Sequence, residues 1–536
     1  MEKRKENDIF GGEELCPELC FRLYEKSRGF KSAIDLYDTV NTNENFYIGK
    51  QWEGVEANGL PTPVFNFLKK DVMFTVASIT SDNIKIQVSP LAAAADSENL
   101  KEPARILTEE LERIGEENGL SALLRLFARD AAVRGDGCIY TYWDPETETG
   151  QDAKGSIKSE TVENTRVHFG NPNDPRVEAQ PYIIIEKRRP ADEVRREALK
   201  RGSPDWEDIA PDEDGAPVDG GRRTDDKVTV LTIFYRGENG GISCYECTQR
   251  AEVRKPWELG IRLYPIVWLP WDRVQDSCHG QAMITGLIPN QIFVNKLWAM
   301  AMLSLMTTAY PRVIFDRTRV ARWSNRIGAA IAVNGGDINT VAKNMDPAVI
   351  SPDVSRFIGE AISMTNSNLG VTAAATGEVR PDNTSAIVAL QRAAATPNEM
   401  TKQNLYKCVK DLARIYLEFI AEFYGKRFVD IETPPNIAES IRNGIKDGFL
   451  PDDTEIPTEI SREFDFGVFK SLPVSMKIDV GASSYYSEIA GIQTLDNLLA
   501  KGKIDVRQYL ERIPDGYIPD RRGLISEIER AEERIE

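Results

Sequence analysis

Histidine is almost absent from this chain: its 536 residues include two, His168 and His279. They stand far apart, so the paired-histidine helix of a zinc protease is excluded. Cysteine is sparse too, with seven residues and no dense framework, which fits a reducing compartment. Cys244 and Cys247 make one C-x-x-C, but zinc would need further ligands; a strand flanking Tyr245 is the plainer reading. The glycine motifs of nucleotide enzymes are missing. Gly49-Lys50, Gly425-Lys426 and Gly502-Lys503 lack the upstream glycine of a P-loop. No G-x-G-x-x-G opens a helix after a strand, and no G-x-S-x-G supplies a nucleophile elbow. Asp452, Asp453 and Glu455 are of the type that holds magnesium in nucleases, but solvated loop charge is the commoner use of such clusters. No cofactor is indicated. Positive charge is also short, at 66 Lys and Arg against 84 Asp and Glu, net −18. A protein that grips phosphate needs a basic excess. This one either does not meet nucleic acid or meets it without holding on. The N-terminal MEKRKENDIFGGEELCPELC has no apolar core, so no signal peptide is expected.

What the chain does have is an apolar stretch from Cys278 to Asp316. Ile284, Leu287, Ile288, Ile292, Leu297, Trp298, Met302 and Leu305 go almost all the way round a helix, interrupted by Asn290, Gln291, Asn295 and Lys296. Such a helix is covered on most sides. Lys296 leaves pieces shorter than the roughly twenty residues that cross a bilayer. A central core helix, a membrane helix and a helix walled in by copies of itself remain open on this pattern alone.

The rest reads as mixed helix and strand. Residues 13–40 and 64–81 have helical spacing, and 101–134 reads as a helix pair broken at Gly119. Ile84, Ile86 and Val88 alternate as in a half-buried strand. In RGDG, Arg134–Gly137, the glycines read as a helix stop and a strand start before CIYTYWD, rather than as an integrin motif. Residues 146–164 have few large apolar side chains, and 200–226 hold nine acids against four bases; both are expected to be solvated insertions. Strands are expected at Tyr182–Glu186, Val228–Arg236, Ile242–Cys247 and Leu263–Leu269. Two more, Val313–Asp316 and Ile327–Val333, should pair around RTRVARWSNR. A long helix over 384–425 carries Leu405, Val409, Leu412, Tyr416, Phe419 and Phe423 on one face, with Pro397 expected to kink it. Strands at Phe464–Phe469 and Val474–Val480 precede a charged helical end.

The order of these parts resembles the portal, or head–tail connector, proteins of tailed bacteriophages. The resemblance spans about residues 30–530. It is carried by ENFYIGKQW with PVFNFLKKDVMFTVASIT, RGDGCIYTYWD, GLIPNQIFVNKLWAM, TGEVRPDNTSAIVALQ and VSMKIDVGASSYYSEIAGIQTLDNLLAKGKI. It implies an α+β portal-type fold with a mixed α/β wing, helical stem, small β-containing clip and helical crown. The implied parts are an N-terminal arm (1–29), a wing (30–279, with the acidic insertion 200–226), a stem helix (280–308) and a clip (309–351). A returning stem helix (352–368), a tunnel loop (369–384) and a long kinked helix (385–425) follow. The wing then resumes (426–482) before C-terminal crown helices (483–536). The acidic insertion has no place in the family pattern, and the C-terminus is short for a long crown barrel.

The resemblance also implies a non-enzymatic role: a homo-oligomeric ring of about twelve copies at one capsid vertex. Its partners would be the terminase large subunit, major capsid and scaffolding proteins, a tail adaptor, and double-stranded DNA passing through without sequence specificity. An acidic channel lets phosphate slide rather than stick. Assembly would be in the host cytoplasm and residence in the virion. The alternatives are a packaging-associated ATPase or nuclease, and a non-ring scaffold or membrane-associated protein. Candidate residues are Ile292, Leu297, Trp298 and Met302 at a stem interface. Arg317, Arg319, Arg322 and Arg326 form a clip cluster for motor or adaptor contact. Thr372, Glu378, Arg380 and Asn383 are placed on a DNA-facing loop.

Overall fold

The computed structural model describes residues 10, 13–57, 59–81, 84–90, 98–151, 153–212, 226–237, 239–309, 313–324, 330–344, 353–368, 398–432, 459–470, 474–480, 485–513 and 523–525. Within them the chain is α+β. It opens with α1 (Pro17–Ala33), α2 (Leu36–Ile48) and α3 (Phe67–Ile79). The expected single helix over 13–40 is two, because Asp35 takes a left-handed φ of 52° between them. Asn66 caps α3 by accepting the Lys69 N–H, and its amide donates to the carbonyls of Phe46 and Tyr47. One side chain thus starts α3 and fixes it on the end of α2.

Strand β1 (Ile84–Pro90) leads into α4 (Glu98–Glu117) and α5 (Leu120–Arg134), broken at Gly119 as expected, with φ 59°. Then come β2 (Asp136–Asp144), β3 (Ser156–Thr161), β4 (Val167–Phe169), β5 (Tyr182–Pro190), α6 (Ala191–Lys200), β6 (Lys227–Arg236), β7 (Ile242–Cys247), β8 (Glu252–Glu258) and β9 (Ile266–Pro270). Strands β4-β5-β6-β7-β8 form one antiparallel sheet and β3-β2-β9 another. Alternate residues of the larger sheet serve two cores. Ile183, Ile185, Phe234 and Cys244 face the main core, which also holds α3, α4 and α5. Ile184, Leu231, Ile233, Tyr245 and Cys247 meet Cys20 and Tyr24 of α1 on the other side. The C-x-x-C therefore lies in a strand about Tyr245, both thiols buried.

Two expected insertions are more built than their composition suggests. In 146–164, β3 pairs with β2 and buries Ser156 and Ile157. In the acidic stretch, Ser203 and Ile209 are buried and Trp206 packs against α6 and its neighbours. A few apolar anchors suffice where the surrounding charge stays in solvent. Residues 213–225 lie outside the described residues.

Further on lie α7 (Ile288–Ala309), β10 (Val313–Phe315), β11 (Ala342–Asn344), α8 (Asp353–Asn368) and α9 (Glu399–Phe423). Then follow β12 (Lys426–Glu432), β13 (Glu459–Asp465), β14 (Val474–Val480), α10 (Tyr485–Ala500) and α11 (Val506–Arg512). Helix α9 buries the expected face, Leu405, Val409, Leu412, Tyr416 and Phe419, in the main core. Its expected N-terminal extension over 385–397, with Pro397, is outside the described residues. The strand expected at Phe464–Phe469 ends at Asp465 and gives way to a 3₁₀ turn over Phe466–Lys470 that buries Phe466 and Phe469. The late strands return to the early body: β14 pairs with β1, Ile84 opposite Val480. Arg427 of β12 donates to the Gly155 carbonyl at 2.8 Å, its guanidinium 4.0 Å from the Tyr424 ring centre.

Candidate subunit and channel surfaces

The apolar stretch starts from a pinned joint. Asp136, the first residue of β2, is fully buried. Its carboxylate accepts the Gly280 N–H at 2.7 Å and meets His279 Nδ1 at 2.7 Å, and the Asn164 amide donates to it at 3.2 Å. This Asp is the acid of RGDG, so it is not available to any partner. Gly135 turns the chain at φ 100°, and a Cβ there would stand 2.6 Å from the Gly280 carbonyl; only glycine allows this approach. Nearby, Lys31 of α1 is buried and donates to the carbonyls of Asn164, Thr165 and Val167 at 2.7–3.0 Å. Burial pulls its ammonium down to about 7.

These bonds shift the start of the helix. It was expected over 280–308, but Gln281 bridges to Asp272 in β fashion, and Thr285–Leu287 is a 3₁₀ turn. The α-helix runs Ile288–Ala309. Of the four residues that read as polar interruptions, Gln291 and Asn295 are buried, while Asn290 and Lys296 are exposed. Gln291 Nε2 donates to the Phe65 carbonyl at 2.8 Å and to Asn295 Oδ1 at 2.9 Å. Asn295 in turn donates to Gln51 Oε1 at 2.7 Å. Asn290 donates to Thr365 Oγ1 of α8 at 3.0 Å, so the start of α7 lies beside the end of α8 and the two run antiparallel. Asn366, with its amide turned to donate, reaches Asp71 Oδ1 at 3.2 Å; burial pushes that carboxyl up to about 7.

Of the expected interface residues, Ile292 packs on the main core and Trp298 stacks at 4.7 Å on Phe65. Leu297 is half-buried and Met302 is exposed. The chain itself thus covers much of the first three. With Met302, the uncovered apolar residues are Phe293, Met300, Leu303, Leu305 and Met306 on α7, and Phe357 and Met364 on α8. Leu305 is 63% exposed and Met364 73%. Sequence reading could not single out the uncovered residues because every side of α7 is apolar, so the pattern cannot say which part the same chain covers. Helical spacing does connect the two exposed α8 residues, seven apart.

Between α7 and α8, β10 pairs antiparallel with β11, Phe315 opposite Ala342. The strand expected over Ile327–Val333 is not the partner: residues 330–333 are irregular, and 325–329 lie outside the described residues. Val320 and Val341 are buried, and Phe315 stacks on Trp323 at 5.6 Å. Arg319 works within this small unit. Its Nε is 3.6 Å from Asp316, and Nη1 donates to Thr340 Oγ1 at 3.1 Å. The Thr318 hydroxyl and N–H both donate to Asp316 and hold its carboxyl below the usual range. Arg317 and Arg322 are exposed and, among the described residues, form no ion pair. Arg326 lies outside the described residues, as does the whole tunnel-loop span 369–384 with Thr372, Glu378, Arg380 and Asn383.

Among the described residues no helix is long and apolar enough to cross a membrane, and no group of histidines, cysteines and carboxylates could hold a metal ion. Residues 242–431 match the family model of phage P22-like portal proteins. The match runs from β7 through α7, the β10–β11 unit, α8 and α9 into β12. It supports a phage portal protein, a class that is structural rather than enzymatic. No curated protein matches the chain.

Proposed function

We propose that this chain forms the ring-shaped channel of a phage portal, set at one capsid vertex. Double-stranded DNA would be driven through it by the terminase and later released through the tail. The observation that carries the ring is the apolar surface of α7 and α8, which the chain leaves bare although it buries Gln291 and Asn295 of the same helix. A large exposed apolar surface marks an interaction site, and copies arranged head to tail close into a ring. In this reading α7 and α8 are the stem, and residues 309–351, with β10 and β11, are the clip. The sheets, closed by β14 on β1, are the wing. Arg317 and Arg322 are the clip cations free to meet an acidic surface of the motor or adaptor. The span 369–384 lines the channel, with Arg380 touching phosphate in passing and Glu378 limiting the grip. About twelve copies, capsid and scaffolding proteins, and residence in the virion complete the reading.

Light scattering on the purified chain tests it. A mass near twelve times the 60.1 kDa protomer is expected. A monomer at all concentrations contradicts the ring.

A further inference from the structure

The two sheets diverge beside the C-terminal end of α9 and leave a cleft of about 770 Å³ between them. This lies within the roughly 300–1,000 Å³ of small-ligand sites. One wall is aromatic: Tyr140, Tyr142 and Trp143 of β2, with Phe419 and Phe423 of α9. The other is the face of the larger sheet just past its buried Ile185, Phe234 and Cys244. There the apolar pattern gives way to Lys187, Arg189, Glu246 and Arg254, and Arg201 follows α6 at the rim.

The cations of this cleft are unevenly paired. Lys187 pairs with Glu160, its ammonium 5.0 Å from the Tyr140 ring centre. Arg189 pairs with both Glu193 and Glu197, at 2.6 and 2.8 Å, and Arg201 with Glu197 at 3.0 Å. The guanidinium carbon of Arg254 stands over the Trp257 ring, 3.5 Å from its centre. Among the described residues no carboxylate is within ion-pair distance of it. Burial first, and then the like charge of Arg201, hold its guanidinium below its usual range. Burial also pushes up the acid of its cross-strand neighbour Glu246. A guanidinium fixed on an aromatic ring and turned toward a cleft is set up for planar, bidentate contact with phosphate or carboxylate.

We infer that this cleft binds a small organic anion carrying a planar ring, of mononucleotide size, with Arg254 and Arg201 on the anionic head and the aromatic wall against the ring. The site is separate from the stem and clip and does not depend on the ring reading.

The probe is adenosine monophosphate, titrated into the full chain by calorimetry and by tryptophan fluorescence, since Trp143 and Trp257 line the cleft. Saturable binding is expected. Arg254→Gln should weaken it at least tenfold with circular dichroism unchanged. Arg201→Gln, at an exposed position, should weaken it severalfold without touching the sheet. Adenosine and inorganic phosphate should each bind at least tenfold more weakly than the nucleotide. No binding up to millimolar concentration would overturn the inference, as would equal binding by both variants. Phosphate binding as tightly as the nucleotide would overturn the planar-ring half of it.

Discussion

His168 should make this protein lose stability in acid, by an amount that can be worked out. Its ring is fully buried on β4. Nδ1 is 3.0 Å from Ser27 Oγ, while Nε2 stands 3.6 Å from Glu186, beyond hydrogen-bond reach. Tyr24 covers one side edge-on, and Lys31 adds a like charge. Burial first, then Lys31, hold the ring down to about 3, against 6.5 for an ordinary histidine. Between those values the unfolded chain binds a proton that the folded chain refuses. Stability from this site is therefore complete above pH 6.5 and falls as pH drops towards 3. From pH 6.5 to 5 the loss is about 2 kcal/mol, at about 1.4 kcal/mol per pH unit. Asp71 runs the other way: its carboxyl, raised to about 7, takes up a proton in the folded state first, so acid stabilises through it. Lys31 changes charge from about 7 upward and leaves the acid range flat. The parent's total slope mixes these sites, but the difference from His168→Gln isolates one. Urea unfolding followed by circular dichroism at pH 7, 6 and 5 measures it. The parent should lose about 2 kcal/mol more than the variant over that range. Parallel pH dependence in the two proteins would refute the reasoning.

Other outcomes follow from the same packing. Met300→Glu with Leu303→Glu, both exposed in the chain, should leave the melting temperature within a few degrees and give an undersized species on size exclusion. Val294→Ala, at a fully buried position of the same helix, should instead cost about 1–2 kcal/mol of stability in urea. Gly155 has φ 97°, and a Cβ there would stand 2.3 Å from the Trp143 ring; Gly155→Ala should lower stability by about 2 kcal/mol or more in thermal unfolding. Arg317→Glu with Arg322→Glu should weaken terminase docking most at low salt, where charge attraction reaches furthest, while Arg319→Glu should also loosen the β10–β11 unit. Removing Thr372–Glu378 should leave assembly intact and reduce retention of packaged DNA in a defined packaging assay.

Much of the fold was legible in the sequence where one face of an element is apolar. The Leu405–Phe419 face of α9, the Gly119 break and the strands at 242–247 and 474–480 stand as read. The misses share a cause, which is that partners far away in sequence decide them. Ser156 and Ile157 look like loop residues until β2 is laid beside them. The pairing of β10 with Ala342–Asn344 rests on Val320 and Val341 filling a small core that no period announces. Asn295 and Gln291 look like the wet side of α7, yet Gln51 and the Phe65 carbonyl turn them into its buried side. The bare apolar surface could be found only once that side was known. Arg319 read as one of four like cations, and Asp316 and Thr340 set it apart.

The central claim is that copies of this chain close into a channel, and a negative-stain image of the purified protein tests it most directly. The account predicts round particles with a central hole, seen end-on as closed rings of about twelve subunits, and their loss in the Met300→Glu, Leu303→Glu variant. Particles with no hole, or rings that persist unchanged in that variant, would contradict it.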